Sequence, residues 1–182
     1  LALDEPGWIA MAERALGAVR EALVEPSGDT CIVHRLWKDG ARRGPGFLDD
    51  YAYLADAALD VWEATGDPSH AELAIRVGRA MVARFHGGAG RFFFTPEGGE
   101  PLIVRASDST DHAVPSGTAA ACRALLRLGA LEGDATARPA VEALEALAAS
   151  ALENPFAYGH ALGSLDRLRR GPVDVVIVGA RG

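Results

Sequence analysis

Two segments carry the residues best suited to chemistry. Residues 46–54 read Gly-Phe-Leu-Asp-Asp-Tyr-Ala-Tyr-Leu, and residues 105–118 read Arg-Ala-Ser-Asp-Ser-Thr-Asp-His-Ala-Val-Pro-Ser-Gly-Thr. General acid/base work on a sugar needs paired carboxylates, or a base beside a proton donor. Asp49, Asp50 and Asp111 are the candidate catalytic carboxylates. Arg105 can orient an anionic or hydroxylated substrate through its fork of donors. Tyr51, His112, Ser116 and Trp37 complete the substrate-binding candidates. His34, His70 and His86 are scattered, and His112 and His160 lack a partner at ligand spacing, so no metal and no other cofactor is expected.

Each candidate also has a plain structural role open to it. An aspartate ahead of a helical run is a preferred N-cap, which suits Asp49 or Asp50, and Ser116 fits the same role. Asp111 lies in a loop near Arg105 and His112, where a structural ion pair is the alternative. The run Phe92-Phe93-Phe94 reads as core or loop anchor, although an exposed ring can stack on a sugar face.

These segments need elements to hold them. Apolar spacing predicts helices over residues 7–24, 48–62, 69–85, 115–131, 139–152 and 155–170. Residues 30–37 form a short β-like run, followed by a loop over 38–46. Residues 91–95 and 101–105 look like a β-hairpin around Glu97-Gly98-Gly99, and residues 173–178 look like a terminal strand. Gly66-Asp67 and Gly133-Asp134 break the chain in the same way, 67 residues apart. At that offset Leu59 matches Leu126, Val61 matches Leu128, Val77 matches Leu144 and Phe85 matches Leu152. Each unit then reads as two antiparallel helices about a tight turn, the mark of a helical solenoid or closed toroid. The first helices carry the small residues (Ala52, Ala55, Ala119, Ala120, Ala121) and belong inside. The second carry Glu72, Arg76, Arg79, Glu142 and Glu145 and belong outside. Inner helices of such a ring point the same way, so their N-termini bring Asp49, Asp50, Asp111, Ser116 and Asn154 to one rim, where helix dipoles favour ionised carboxylates.

Composition sets the outer limits. The chain has 182 residues, 49% hydrophobic and 24% charged, with a net charge of −7. That suits one domain spanning residues 1–182 with a real core. The acidic balance argues against nucleic acid, and no stretch is apolar enough to span a bilayer. Cys31 and Cys122 stand 91 positions apart without any CxxC pair, which leaves two small buried hydrophobes in a reducing, cytoplasmic setting. The start has neither the basic nor the apolar region of a signal peptide. The chain reads as a piece of something longer.

The ordered run of GFLDDYAYLADAALDVWEATGD, the Gly-rich turn before RFFFT, RxxDxxDxxxPSG and PVDVVIVG resembles the spermatogenesis-associated protein 20 family. That resemblance implies an (α/α)6 toroid, similar to those of N-acylglucosamine 2-epimerases and six-hairpin glycosidases, of which this chain is a part. It also implies an N-terminal thioredoxin-like domain that is absent from these residues. Asp49, Asp50 and Tyr51 fall on the family's DDY motif, and Arg105, Asp111, Pro115, Ser116 and Gly117 on its second motif. His112, Thr110 and Thr118 depart from the Gly, His and Asn usual there.

Two readings follow. The first is a carbohydrate-active domain, doing epimerase or glycosidase-like chemistry on a small carbohydrate. The second is a non-catalytic helical scaffold that docks a thioredoxin-like domain or another protein. An open half-ring exposes apolar flanks, so either the missing domain or self-association is expected to cover them. Two carboxylates about 5 to 9 Å apart across a cleft favour the first reading. Aspartates spent on caps and ion pairs favour the second.

Overall fold

A computed structural model describes residues 5–99, 103–171 and 178–179. Among them are six α-helices and a small antiparallel sheet. Helix α1 spans Pro6–Leu23, and the chain then forms the strands β1 (Val24–Ser27), β2 (Thr30–Lys38) and β3 (Ala41–Pro45). Two helical hairpins follow: α2 (Leu48–Thr65) with α3 (Pro68–Phe85), and α4 (Gly117–Glu132) with α5 (Asp134–Glu153). A 3-10 turn over Pro155–Ala157 leads into α6 (Gly159–Arg170).

The sheet corrects the expected loop over residues 38–46. β2 pairs antiparallel with β1 on one side and β3 on the other, with Trp37 opposite Arg42. The reversal is made by Asp39 and Gly40, with φ of 54° and 73°. Positive φ at both central residues is what a two-residue hairpin requires, and Asp-Gly favours it. All five residues of β3 are exposed, so no apolar alternation marks it in the sequence. Arg42 on β3 donates to the carbonyls of Ala22 (3.0 Å) and Glu21 (2.9 Å), satisfying the free C-terminal end of α1.

The expected hairpin over residues 91–105 is not formed by its described part. Phe92 makes only an isolated bridge to His86, and the Phe94 N–H donates to the Ala106 carbonyl at 2.8 Å. A half-buried strand would send alternate rings to opposite faces. Here all three phenylalanines are anchored instead. Phe92 is buried beside His86, Phe93 lies under Arg105, and Phe94 packs on Phe47 with ring centroids 4.7 Å apart. Residues 100–102, and residues 172–177 of the expected terminal strand, lie outside the described residues.

The two hairpins are as the periodicity predicts. α2 packs on α3, α4 on α5, and α2 and α4 pack on each other, leaving α3 and α5 on the flanks. Ala52, Ala55, Ala58, Ala119, Ala121 and Ala124 are fully buried along the α2 and α4 core faces. The 67-residue match holds at Val77 and Leu144, both fully buried, and fails at its end. Phe85 is 0% exposed, whereas Leu152 is 78% exposed. Phe85 is covered by Tyr51, while the chain after α5 turns at once into Pro155. Helix α5 also begins five residues before the expected Pro139. Its first turn forms without needing the missing proline N–H, starting from the Thr136 N–H on the Gly133 carbonyl at 3.1 Å.

Candidate functional site

The starts of α2, α4 and α6 meet in space. A Cβ added to Gly117, the first residue of α4, would lie 3.4 Å from the Asp49 nitrogen at the start of α2. Asp111 ties α4 to α6. Its Oδ1 accepts the Ser116 N–H at 2.9 Å and its Oδ2 accepts the His160 N–H at 2.8 Å. The Asp111 N–H in turn donates to the Ala157 carbonyl at 2.8 Å. Carboxylates accept such donors well because helix starts leave backbone N–H groups unpaired and carry positive dipole ends. Tyr53 closes the arrangement from α2, donating its hydroxyl to the Pro115 carbonyl at 2.5 Å. Burial raises the Tyr53 pKa, and the nearby charges of Asp49, Asp111 and Asp108 raise it further.

The other candidates are distributed around this junction. Asp50 Oδ2 accepts the Phe47 N–H at 2.8 Å and the Arg35 guanidinium at 2.8 Å, which makes it half of a capping box and half of an ion pair. Asp49 lies 3.5 Å from the same guanidinium. Tyr51 is 1% exposed and its hydroxyl accepts the Val33 N–H at 2.9 Å, so it joins α2 to β2 from within the core. Ser116 is 2% exposed and caps α4 through the Ala119 N–H at 3.1 Å. His112 is exposed in the loop before α4. Trp37 is half exposed on β2, two residues beyond Arg35, and among the described residues no hydrogen bond or ion pair joins it to the carboxylates.

Arg105 differs most from expectation. Its guanidinium donates to the Thr95 carbonyl at 2.6 Å and lies 4.2 Å from the Phe93 ring centre, so it braces its own loop and does not pair with Asp111. Asn154 stands outside the junction as the exposed residue between α5 and the 3-10 turn.

Three groups of the neighbourhood escaped the sequence reading. Tyr53 follows Asp49 by four residues and so shares its helix face. Arg35 continues the strand face of buried Cys31 and Val33. The third is an ion cluster between α2 and α4. Arg127, 5% exposed, bonds Asp56, Asp60 at 2.8 Å and Glu63 at 3.0 Å, and Arg123 lies 3.3 Å from Asp56. Burial pulls the Arg127 pKa down, and the hydrogen bonds it donates to Glu63 and Asp56 outweigh that and leave the value raised. The signal was present: Asp56, Asp60 and Glu63 follow i, i+4, i+7, and Arg123 and Arg127 follow i, i+4.

Among the described residues no three His, Cys, Asp or Glu side chains gather to hold a metal, and no helix is long and apolar enough to cross a membrane. No known family model matches the chain. It does resemble spermatogenesis-associated protein 20, as its motifs imply. The rat protein is 38% identical over 91 residues, which is 48% of this chain and 11% of that protein. The human protein is 33% identical over 90 residues, covering 48% and 12%. An uncharacterized protein of Caenorhabditis elegans is 33% identical over 82 residues, covering 45% and 11%. The match thus spans about a tenth of the length of these curated relatives.

Proposed function

We propose that this chain is a helical scaffold within a longer protein, and that its rim carboxylates hold helix starts together in place of turning over a substrate. The observation that carries this is Asp111. Both of its oxygens accept backbone N–H groups, one at the start of α4 and one at the start of α6. A general base must face a substrate proton, and these bonds turn both carboxylate oxygens toward backbone donors instead, though each oxygen keeps a second lone pair. Asp50 is likewise engaged by Phe47 and Arg35, and Ser116 by its own helix. These bonds weigh against the carbohydrate-active reading, although Asp49, whose Oδ1 accepts the Asp50 N–H at 3.0 Å, keeps its other oxygen without a hydrogen bond among the described residues. The paired hairpins, with α2 and α4 between α3 and α5, support reading the chain as part of an (α/α)6 toroid. The resemblance makes a thioredoxin-like domain the first docking partner to test. Two unpaired buried thiols support a cytoplasmic setting.

Asp111→Asn tests the reading. An amide can accept only one of the two N–H groups and turns its own NH2 toward the other. The variant is expected to lose about 1 to 3 kcal/mol of stability, the cost of leaving a buried donor unmade. Thermal melting with and without a panel of glucose, N-acetylglucosamine and cellobiose reads both roles. A variant that melts with the parent, yet loses a saturable sugar response that the parent shows, would overturn the scaffold reading.

A further inference from the structure

An apolar groove of about 560 Å³ lies open between α1 and α2. Ala12, Ala15 and Val19 line it from α1, Ala57 and Val61 from α2. On α1 the bare stripe is longer than the groove, since Trp8 and Met11 are exposed as well. Large uncovered apolar surfaces mark places where something else packs. What packs here can be read from the two hairpins of the same chain.

Helix α1 is built like α3. Both are 18 residues long and start on a proline, Pro6 or Pro68, after an acidic cap that accepts the N–H two residues on. With these prolines aligned, Met11, Ala12, Ala15 and Val19 fall on Leu73, Ala74, Val77 and Met81. The four on α3 are buried in the core, where α3 packs on α2, and the four on α1 are exposed. Met81 is 0% exposed and Val19 is 38% exposed. One position fixes the register. α3 has Gly78 against Leu128 of α4, and α1 has buried Leu16 there, lining the groove with Val61 of α2, the 67-residue counterpart of Leu128. So α1 meets α2 as α3 meets α4, and lacks the helix that α3 has in α2.

The α2 wall gives the same answer independently. Tyr53 and Ala57 are exposed, whereas their counterparts on α4, Ala120 and Ala124, are buried. Those two share a helix stripe with Arg127, whose partners Asp56 and Asp60 belong to α2. We infer that the groove is filled by a helix preceding α1 in the same polypeptide, about as long as α2 and standing to α1 as α2 stands to α3. The rat relative, of which the match spans 11%, has the extra length that such a helix requires. A second copy fits less well, because its α2 and α4 are already enclosed between its own α3 and α5. The inference rests on the reading of this chain as part of a longer protein, and it holds whether or not a ring closes. Asp111 takes no part in it, so the groove and the scaffold role fail or stand by separate measurements.

The experiment compares the 182-residue chain with the full polypeptide of its gene. Ala15→Cys and Ala57→Cys place a thiol on either wall, and Ala10→Cys places one on an exposed part of α1 that does not line the groove. N-ethylmaleimide labelling is read at each position by mass spectrometry, with Cys31 and Cys122 buried in the background. Both wall thiols are expected to react at least about tenfold more slowly in the full polypeptide than in the 182-residue chain, and Ala10→Cys equally in both. Equal rates at the walls would overturn the proposal, as would a gene with too few residues before Leu1 to form the helix. So would slowing of Ala10→Cys to the same degree, which marks a cover over the whole of α1. Wall thiols that become protected in the 182-residue chain as its concentration rises would assign the groove to a second copy instead.

Discussion

Tyr51 and Tyr53 stand two residues apart on α2 and do different work. Tyr51 is enclosed, with its hydroxyl on the Val33 N–H and its ring edge-on to Phe85 at 5.1 Å. Tyr51→Phe keeps the ring and strands that N–H in the core, so a loss of about 1 to 3 kcal/mol is expected. The urea midpoint checks it, with an unchanged slope showing that only stability moved. A midpoint equal to the parent's would mean that Val33 finds water instead. The sequence marked Tyr51 for its motif and passed over Tyr53, because spacing tells which residues share a face and not which face is buried. Asp111 is singled out by its loop position, but Arg105, its neighbour in sequence, braces its own loop instead. Its real partners, the N–H groups of Ser116 and His160, are backbone, which no residue type announces.

At the level of elements, the helices and the central strand β2, expected over residues 30–37, were legible, and the outer strands β1 and β3 were not. α2 and α3 repeat apolar residues over five turns and are bounded by Gly66 and Asp67, whose side chain accepts the Ser69 N–H at 2.8 Å. That hydrogen bond, together with one from the Ser69 side chain, lowers the Asp67 pKa from 3.8. A depressed folded-state value means that the carboxylate's extra stability is present above pH 3.8 and is lost as pH falls through the lower folded value. Asp67→Asn keeps an acceptor at the cap but has no charge to titrate. Parent and variant are therefore expected to melt together in strong acid and to separate as pH rises above 3.8, the parent higher. Parallel pH profiles would show that the cap is not coupled to ionisation. β1 and β3 gave no such reading, because their residues are mostly exposed and Pro26 interrupts the first. The one usable sign was Asp39-Gly40. The ion cluster of α2 and α4 was legible in principle, since its five members obey helix spacing. Only packing shows that the two charged stripes face each other.

The molecule as a whole holds two reporters of its own integrity. Cys31 on β2 and Cys122 on α4 are both buried, and burial raises their thiol pKa values to about 11 and about 12. Thiolate is the reactive form, so at neutral pH both should resist alkylation by iodoacetamide until the fold opens. Labelling followed by mass spectrometry is expected to track global unfolding in rising urea. A thiol that reacts at once in native buffer would show that its region opens alone. The same close packing has a mechanical side. A Cβ added to Gly78 would come 2.4 Å from Leu128, and one added to Gly129 would come 2.5 Å from Ala137, so at these two points α3 and α5 approach α4 as closely as glycine allows. By contrast, an apolar groove of about 560 Å³ runs between α1, β2 and α2. Tightly packed interiors are barely compressible, and pressure acts on voids. That groove is open to water and offers pressure no void to close, so the contacts at Gly78 and Gly129 are where the molecule gives least: the stiff points of its keel.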